Sequence, residues 1–333
     1  MLRFRCGIAT LLSFALETLR AIREALLKLD SHVHTQHSGQ TTIYPLSLVM
    51  RESYNTPEGV YRLAKARGMD LVTITDHDQI SGALSISHYP DVIVGCEVTG
   101  VFPNDRVRVH LNVFGLSEAQ HRNIQRLRHD VLELMPYLKS ERLFTSLNHV
   151  ASGVNGPITA PHVAALLPWV DALETNNGSR LPAQNLTAQC LAEAAGKPGI
   201  AGSDAHTMRG IGGTWTEVPG ARTREEFIAG LWQGRCRIGG RQGSYFTLAG
   251  DMLLFATGFY GERFGNVVRE PLRWQTYGFV FGGILGLPLV ALPLAAAYLH
   301  FVTEARFNRT LLYDLVRRPA RTLATVPRLA VSP

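Results

Sequence analysis

Several of the chain's histidines stand beside acids at the ends of apolar, β-branched runs, where scatter would not place them. Asp30-Ser31-His32-Val33-His34-Thr35 closes the first run; histidines two apart on a strand project to one side, so both imidazoles can reach one cation. Thr73-Ile74-Thr75-Asp76-His77-Asp78 ends a second with two acids around a histidine, although Asp78 also suits the cap of a following helix. Glu97 directly follows Val92–Cys96, where a carboxylate can bridge two cations or stand in water. His110 lies within Val107–Phe114, and His149 closes the run that starts at Leu143. Gly202-Ser203-Asp204-Ala205-His206 again sets an acid and an imidazole on one side of the chain. Each cluster alone has an ordinary reading as a surface pair, a cap, a loop acid or a core histidine. Together they offer, at six strand ends, the ligand types that hold Zn²⁺, Mn²⁺ or Fe²⁺.

These side chains need elements that bring them to one place. Strands are expected at Leu27–Val33, Asp70–Thr75, Asp91–Cys96, Val107–Phe114, Leu143–Val150, Val170–Thr175, Gly199–Gly202 and Thr214–Val218. Helix signals lie between them: Thr56-Pro57 starts one and Gly68 stops it, and Thr223-Arg224-Glu225-Glu226 fits a capping box. Repeated β-then-α units imply an α/β domain over residues 29–243 with a mostly parallel sheet. An open doubly wound sheet and a closed barrel both satisfy this; polar clusters at the C-terminal ends of successive strands favour the barrel.

The flanks differ. Over residues 1–28, Ile8, Leu11, Leu12, Ala15, Leu19, Ile22 and Leu26 keep a helical spacing, which predicts an amphipathic helix. A signal peptide is the rival reading, but no small-x-small site follows the apolar stretch. In residues 244–333, the segment 277–302 carries no Asp, Glu, Lys or Arg and precedes an Arg-rich tail. Its length suffices to cross a bilayer, yet Pro288 and Pro293 would kink it; arginines on both sides favour a re-entrant hairpin on the cytoplasmic face, and a helix packed on the barrel is the alternative. The chain is expected in the cytoplasm, attached to the inner face of the membrane through this segment. The four cysteines, Cys6, Cys96, Cys190 and Cys236, form no CxxC pair, which fits a reducing compartment. A net charge of +6 without a basic block interleaved with aromatics permits phosphate ligands and gives no readable nucleic-acid site.

The order HxH, TDHD, Glu after a strand, isolated His, NH and GSDAH resembles the polymerase and histidinol phosphatase (PHP) family of metal-dependent phosphoesterases. The resemblance covers residues 29 to 240 and implies a distorted (β/α)7 barrel holding two or three divalent ions of manganese, zinc or iron. Carried over by position, His32, His34, His77, Glu97, His110, His149, Asp204 and His206 would be the metal ligands, with Glu97 bridging. The chain departs from the family's HxHxxxSDG pattern: Gly39 stands where an Asp ligand is expected. A third site would then recruit His37, Glu52 or water, and an Asp restored at position 39 should strengthen it.

The activity implied is hydrolysis of a phosphomonoester or phosphodiester, on a small phosphorylated molecule or a nucleotide, by a metal-activated hydroxide. Asp76 and His206 are the candidates to serve the leaving group beside Glu97. Arg209, Asn176 and Asn177 are candidates for the phosphate oxygens. An amidohydrolase is disfavoured because no lysine sits at a candidate strand end between Val107 and Asp204. A non-catalytic metal-binding module would follow from the loss at Gly39, and a nuclease would need a basic groove.

Overall fold

In the computed structural model, residues 26–41, 50–153, 156–269, 277 and 291–317 are described. The expected helix over 1–28 lies outside them apart from Leu26–Lys28, which are extended, and so does 278–290. The strands are β1 (Leu26–Leu29), β2 (Val72–Ile74), β3 (Val92–Val101), β4 (Arg108–Phe114), β5 (Phe144–Leu147), β6 (Ala172–Asn177), β7 (Gly199–Gly202), β8 (Thr214–Pro219) and β9 (Arg237–Gly240). The helices are α1 (Pro57–Ala66), α2 (Ser81–Ser85), α3 (Glu118–Leu127), α4 (Val131–Ser140), α5 (Ala160–Leu166), α6 (Pro182–Ala195), α7 (Arg224–Trp232), α8 (Tyr245–Arg269) and α9 (Ala291–Arg317).

Six strands form one sheet in the order β2-β3-β4-β5-β6-β7, and β1-β8-β9 form a second, antiparallel one. The stretch after Lys28 is tied to both edges of the large sheet. The Lys28 carbonyl accepts from Leu71 N and the Val33 carbonyl from Thr75 N, while on the other side Asp204 N donates to the His32 carbonyl and His34 N to the Ala205 carbonyl. Serving two edges explains why the expected strand Leu27–Val33 is regular only to Leu29, and it makes the sheet curl.

The sheet is mostly parallel, as expected, with β4 alone reversed. β2-β3, β5-β6 and β6-β7 are parallel, whereas β3-β4 and β4-β5 are antiparallel. The connection from Val101 to Arg108 is too short for a crossover, which takes a dozen or more residues, so β4 must return as a hairpin. One consequence bears on the site. Because β4 runs backwards, its ligand candidate His110 sits near the strand's start, paired with Thr99, and still reaches the end of the sheet where Glu97 emerges.

The opposite end is closed by apolar side chains. Leu29, Leu71, Ile93, Phe114, Phe144, Ala172, Ile200 and Val218 cluster there, one from each strand or its flank from β1 to β8, and Phe227 and Leu231 of α7 cover them. Thr223 caps α7 by accepting from Glu226 N, while the Glu226 carboxylate turns to Arg222 N, so only half of the expected box forms. Helices α3 to α6 cover the outer face around Leu111, Val113, Leu134 and Leu147.

The C-terminal helices dock on this body. Helix α9 packs against α8, α6 and α5. Its Leu311 is buried in the core with Phe307 against it. Glu304 is buried and accepts from Ser152 Oγ at 2.7 Å and Gly153 N at 3.1 Å. The second part of the uncharged segment, 291–302, therefore opens a helix packed on the barrel wall. Among the described residues no helix is long and apolar enough to cross a membrane.

Candidate metal centre

Glu97 is the hub. It is fully buried on β3. Its Oε2 lies 3.2 Å from His32 Nε2, 3.4 Å from His34 Nε2 and 3.1 Å from His77 Nδ1. Its Oε1 lies 3.2 Å from His110 Nδ1 and 3.1 Å from His149 Nε2. Asp204 Oδ1 approaches His34 Nε2 at 3.5 Å and His206 Nδ1 at 3.6 Å. Thus the eight residues singled out as ligands are gathered at one end of the sheet, seven of them, with Glu174, in four overlapping groups whose ligand atoms are close enough to share an ion: His32-His34-Glu97, His77-Glu97-His110, His34-His77-His206 and His32-His149-Glu174; Asp204 lies beside these.

The donor set fits metal ions. Glu97 Oε2 and His110 Nδ1 are buried with no hydrogen-bond partner, an expensive state for a carboxylate and an imidazole unless a cation completes them. His32 Nε2 and His34 Nε2 face each other at 3.0 Å, an arrangement in which two lone pairs can converge on one ion. Two ligands are held in strained backbone, His149 at φ 24° and Asp204 at φ 51°. Non-glycine residues there cost about 1–3 kcal/mol each and persist where the surroundings fix them, commonly at functional sites.

Electrostatics follow from crowding these groups away from water. Burial works against the Glu97 charge, yet the His32, His110 and His77 imidazoles outweigh it and hold the carboxyl well below its usual range. Burial likewise opposes the Asp204 charge, but His32 and Arg180 keep its pKa well below normal. His34 is driven down to about 3 by burial and the neighbouring His206. His206 goes the other way: burial disfavours its charge, but the hydrogen bond to Glu52 and the Asp204 charge raise it to about 9.

Three residues not anticipated as a set complete the arrangement. Glu174 on β6 receives His32 Nδ1 at 2.9 Å and the His149 backbone N–H at 3.0 Å, fixing the orientation of both rings. An acid inside the apolar run Ala172–Thr175 was the available signal. Arg180 reaches Asp204 Oδ2 at 2.9 Å while its buried Nε has no partner. Glu52, one of three alternatives for the place left by Gly39, lies 3.2 Å from His206 Nε2. Its backbone N–H donates to the Gly39 carbonyl at 2.9 Å, so the carboxylate arrives from the chain paired alongside the glycine. His37 turns away, its Nδ1 2.9 Å from Ser81 Oγ.

Five other residues singled out in the sequence stand apart. Asp76 accepts from Thr35 N, Thr35 Oγ1 and Ser38 Oγ at 2.6–2.8 Å and braces the HxH turn without lining the cavity. Asn177 Nδ2 donates to Glu174 and Asp204, and Asn176 Oδ1 accepts from Asn185, so both are spent on the scaffold. Arg209 donates to the Thr247 carbonyl on α8. Asp78 does not cap α2, whose cap position is Ile80; it accepts from Thr99 N and pairs with Arg128.

Comparison with known proteins agrees with this arrangement. Residues 182–236 match the PHP-associated family model. A two-domain protein of Bacteroides vulgatus containing a predicted PHP-like metal-dependent phosphoesterase superposes with a TM-score of 0.50 at 17% identity, over 72% of this chain and 70% of that one. At that identity the likeness is one of fold. An uncharacterized protein of Methanocaldococcus jannaschii is 30% identical over 77 residues, 22% of this chain; the match spans less than half of that relative, 44%. PsfC of Pseudomonas syringae aligns over 71% of this chain and 98% of its own, with a TM-score of 0.47 at 16% identity. The α/β fold with its curled six-stranded sheet is that of a PHP-type barrel.

Proposed function

We propose that this chain is a phosphoesterase that hydrolyses a phosphate ester at a site for two or three divalent ions. The observation that carries this reading is the buried Glu97 carboxylate ringed by five imidazoles, with one oxygen lacking any hydrogen bond. His32, His34, Glu97 and Asp204 would hold one ion. His77, Glu97, His110 and His149 would hold a second. His34, His77, His206 and Glu52 would hold a third, with Glu52 in the role that Gly39 cannot fill. When bound, such ions lower the pKa of a water and screen the charge on phosphate oxygens.

The protein's own contribution is orientation and charge. Glu174 fixes the His32 ring and the turn that carries His149. Asp204 holds Arg180 as a cation at the cavity wall, where the guanidinium can face a phosphate oxygen beyond the ions. Arg180 thus takes the place expected of Arg209, Asn176 and Asn177. The His206 ring lies between Glu52 and Asp204 on the same wall, so the third ion that it would hold is the group that would serve the leaving oxygen. The fold reading that goes with this is a seven-stave barrel whose extra stave is the stretch from Lys28 to His34.

The test is a panel of phosphomonoesters and phosphodiesters offered to the purified, Mn²⁺-loaded chain. Release of phosphate or alcohol that stops on chelation supports the reading; no turnover of any ester by a metal-replete, folded chain contradicts it.

A further inference from the structure

Helix α8 presents an unusual face to the metal centre. Leu248, Met252, Phe255, Ala256, Phe259 and Tyr260 recur at steps of three, four and seven residues and so share one side of the helix. An apolar stripe of this kind normally packs into a core. Here none of the six belongs to a core cluster, each keeps part of its surface accessible, and all six line the cavity that also contains Glu97, His149, Asp204 and His206. The stripe reaches the ligands directly: the Phe255 ring centroid is 6.3 Å from that of His206.

The cavity encloses about 1000 Å³. That is the upper end of the span that takes drug-sized ligands, roughly 300–1000 Å³, and far more than a phosphate group needs. Its walls are of opposite character. Arg106 and Arg108, at the β3-β4 hairpin, line another part of it, whereas α8 offers few groups that could satisfy a polyol. Of the polar side chains on that face, Asp251 is already engaged by Thr207 Oγ1 at 2.8 Å. A sugar would leave its hydroxyls unpaired against this wall, while an apolar group would exchange water for matched surface.

We propose that the α8 stripe is the binding subsite for a large apolar portion of the substrate, so that the ester cleaved carries an alkyl or aryl group on its phosphate. This rests on the phosphoesterase reading above and names its substrate class. The phosphate sits toward the ligands and Arg180; the apolar group lies along α8 past Phe255. Shared chemistry leaves two sources, a free aryl or alkyl phosphate and a lipid-borne one.

The experiment is calorimetric binding of non-hydrolysable phosphonates to the full chain in Mn²⁺, from methyl through hexyl and phenyl to naphthyl. The expected result is a Kd that falls by about tenfold or more from methyl to naphthyl, each factor of ten being about 1.4 kcal/mol. Phe255→Asn and Met252→Asn should each shrink that gain to about threefold or less, and Phe255→Leu should keep most of it. If either polar variant fails to fold, the other reads the same face. A dodecylphosphonate in phosphatidylcholine vesicles separates the sources: binding restricted to vesicles marks a lipid-borne group, equal binding of the free aryl compounds a soluble one.

A flat series in the wild-type chain would overturn the proposal, as would a steep one unaffected by both polar variants. The two readings fail separately. A steep phosphonate series without turnover of any ester removes the hydrolase and keeps the apolar subsite; turnover with a flat series does the reverse.

Discussion

Glu97 and His77 each belong to two of the ion groups, but only Glu97 brings a negative charge, set among five imidazoles, which ranks their substitutions. Glu97→Gln removes the charge shared by two sites and should lower kcat/KM by about a hundredfold or more, the upper end of what metal-shell changes cost, whereas His77→Ala should cost less. Steady-state kinetics on metal-replete samples checks this, and equal losses would make the third group as necessary as the other two. Position 39 carries a correction. Gly39 has φ 83° and ψ −145°, a region essentially confined to glycine, so Gly39→Asp strains the HxH turn instead of restoring a ligand. It should lower thermal stability and give no gain in metal affinity, while Glu52→Gln should weaken the third group selectively, a difference that Mn²⁺ titrations of both variants would expose. The eight expected ligands were legible because strand ends announce themselves by an apolar run followed by polar chemistry. Glu52 was legible only as one of three alternatives, because its pairing with Gly39 across an irregular turn is what brings it to His206. Arg180 lies in the loop just beyond Asn176-Asn177, and nothing in its spacing separates it from Arg209.

At the scale of elements, eight of the nine strands among the described residues were readable from apolar runs; β9, Arg237-Ile238-Gly239-Gly240, has one large apolar side chain and lies largely exposed, so no apolar run marks it. Strand direction was not readable from any run. It follows from the length of the Val101–Arg108 connection, and it decides that His110 serves the site from the start of β4. Two contacts show how tightly elements hold the ligands. A Cβ on Gly202 would lie 2.5 Å from the His32 backbone nitrogen, so Gly202→Ala should displace the HxH strand and reduce metal binding by elemental analysis. Glu304 anchors α9 to the turn at Ser152-Gly153, just beyond His149. Glu304→Ala removes those buried hydrogen bonds and should cost about 1–3 kcal/mol, read as a lowered urea midpoint at unchanged slope.

For the whole molecule, the charge and composition that excluded a basic groove said nothing about the C-terminal helices. Absence of charge over 277–302 pointed to a bilayer; the described part, 291–302, instead opens a helix whose later turns bury Glu304 and Leu311 against the barrel. Within 291–302 Ala297 is buried, whereas Tyr298 and Leu299 stay 62% and 65% exposed, so absence of charge does not by itself mark burial. The same helices wall the cavity, with His300 of α9 and the stripe of α8 facing the ligands, so the appendage and the barrel build one site.

The central claim is that Glu97 organises a multinuclear metal centre. Equilibrium dialysis of the full chain against Mn²⁺, followed by elemental analysis of wild type and Glu97→Gln side by side, tests it most directly. The account predicts two or more ions per wild-type chain and a loss of most of them in the variant with folding intact. Less than one ion per wild-type chain, or the same stoichiometry in both proteins, would contradict it.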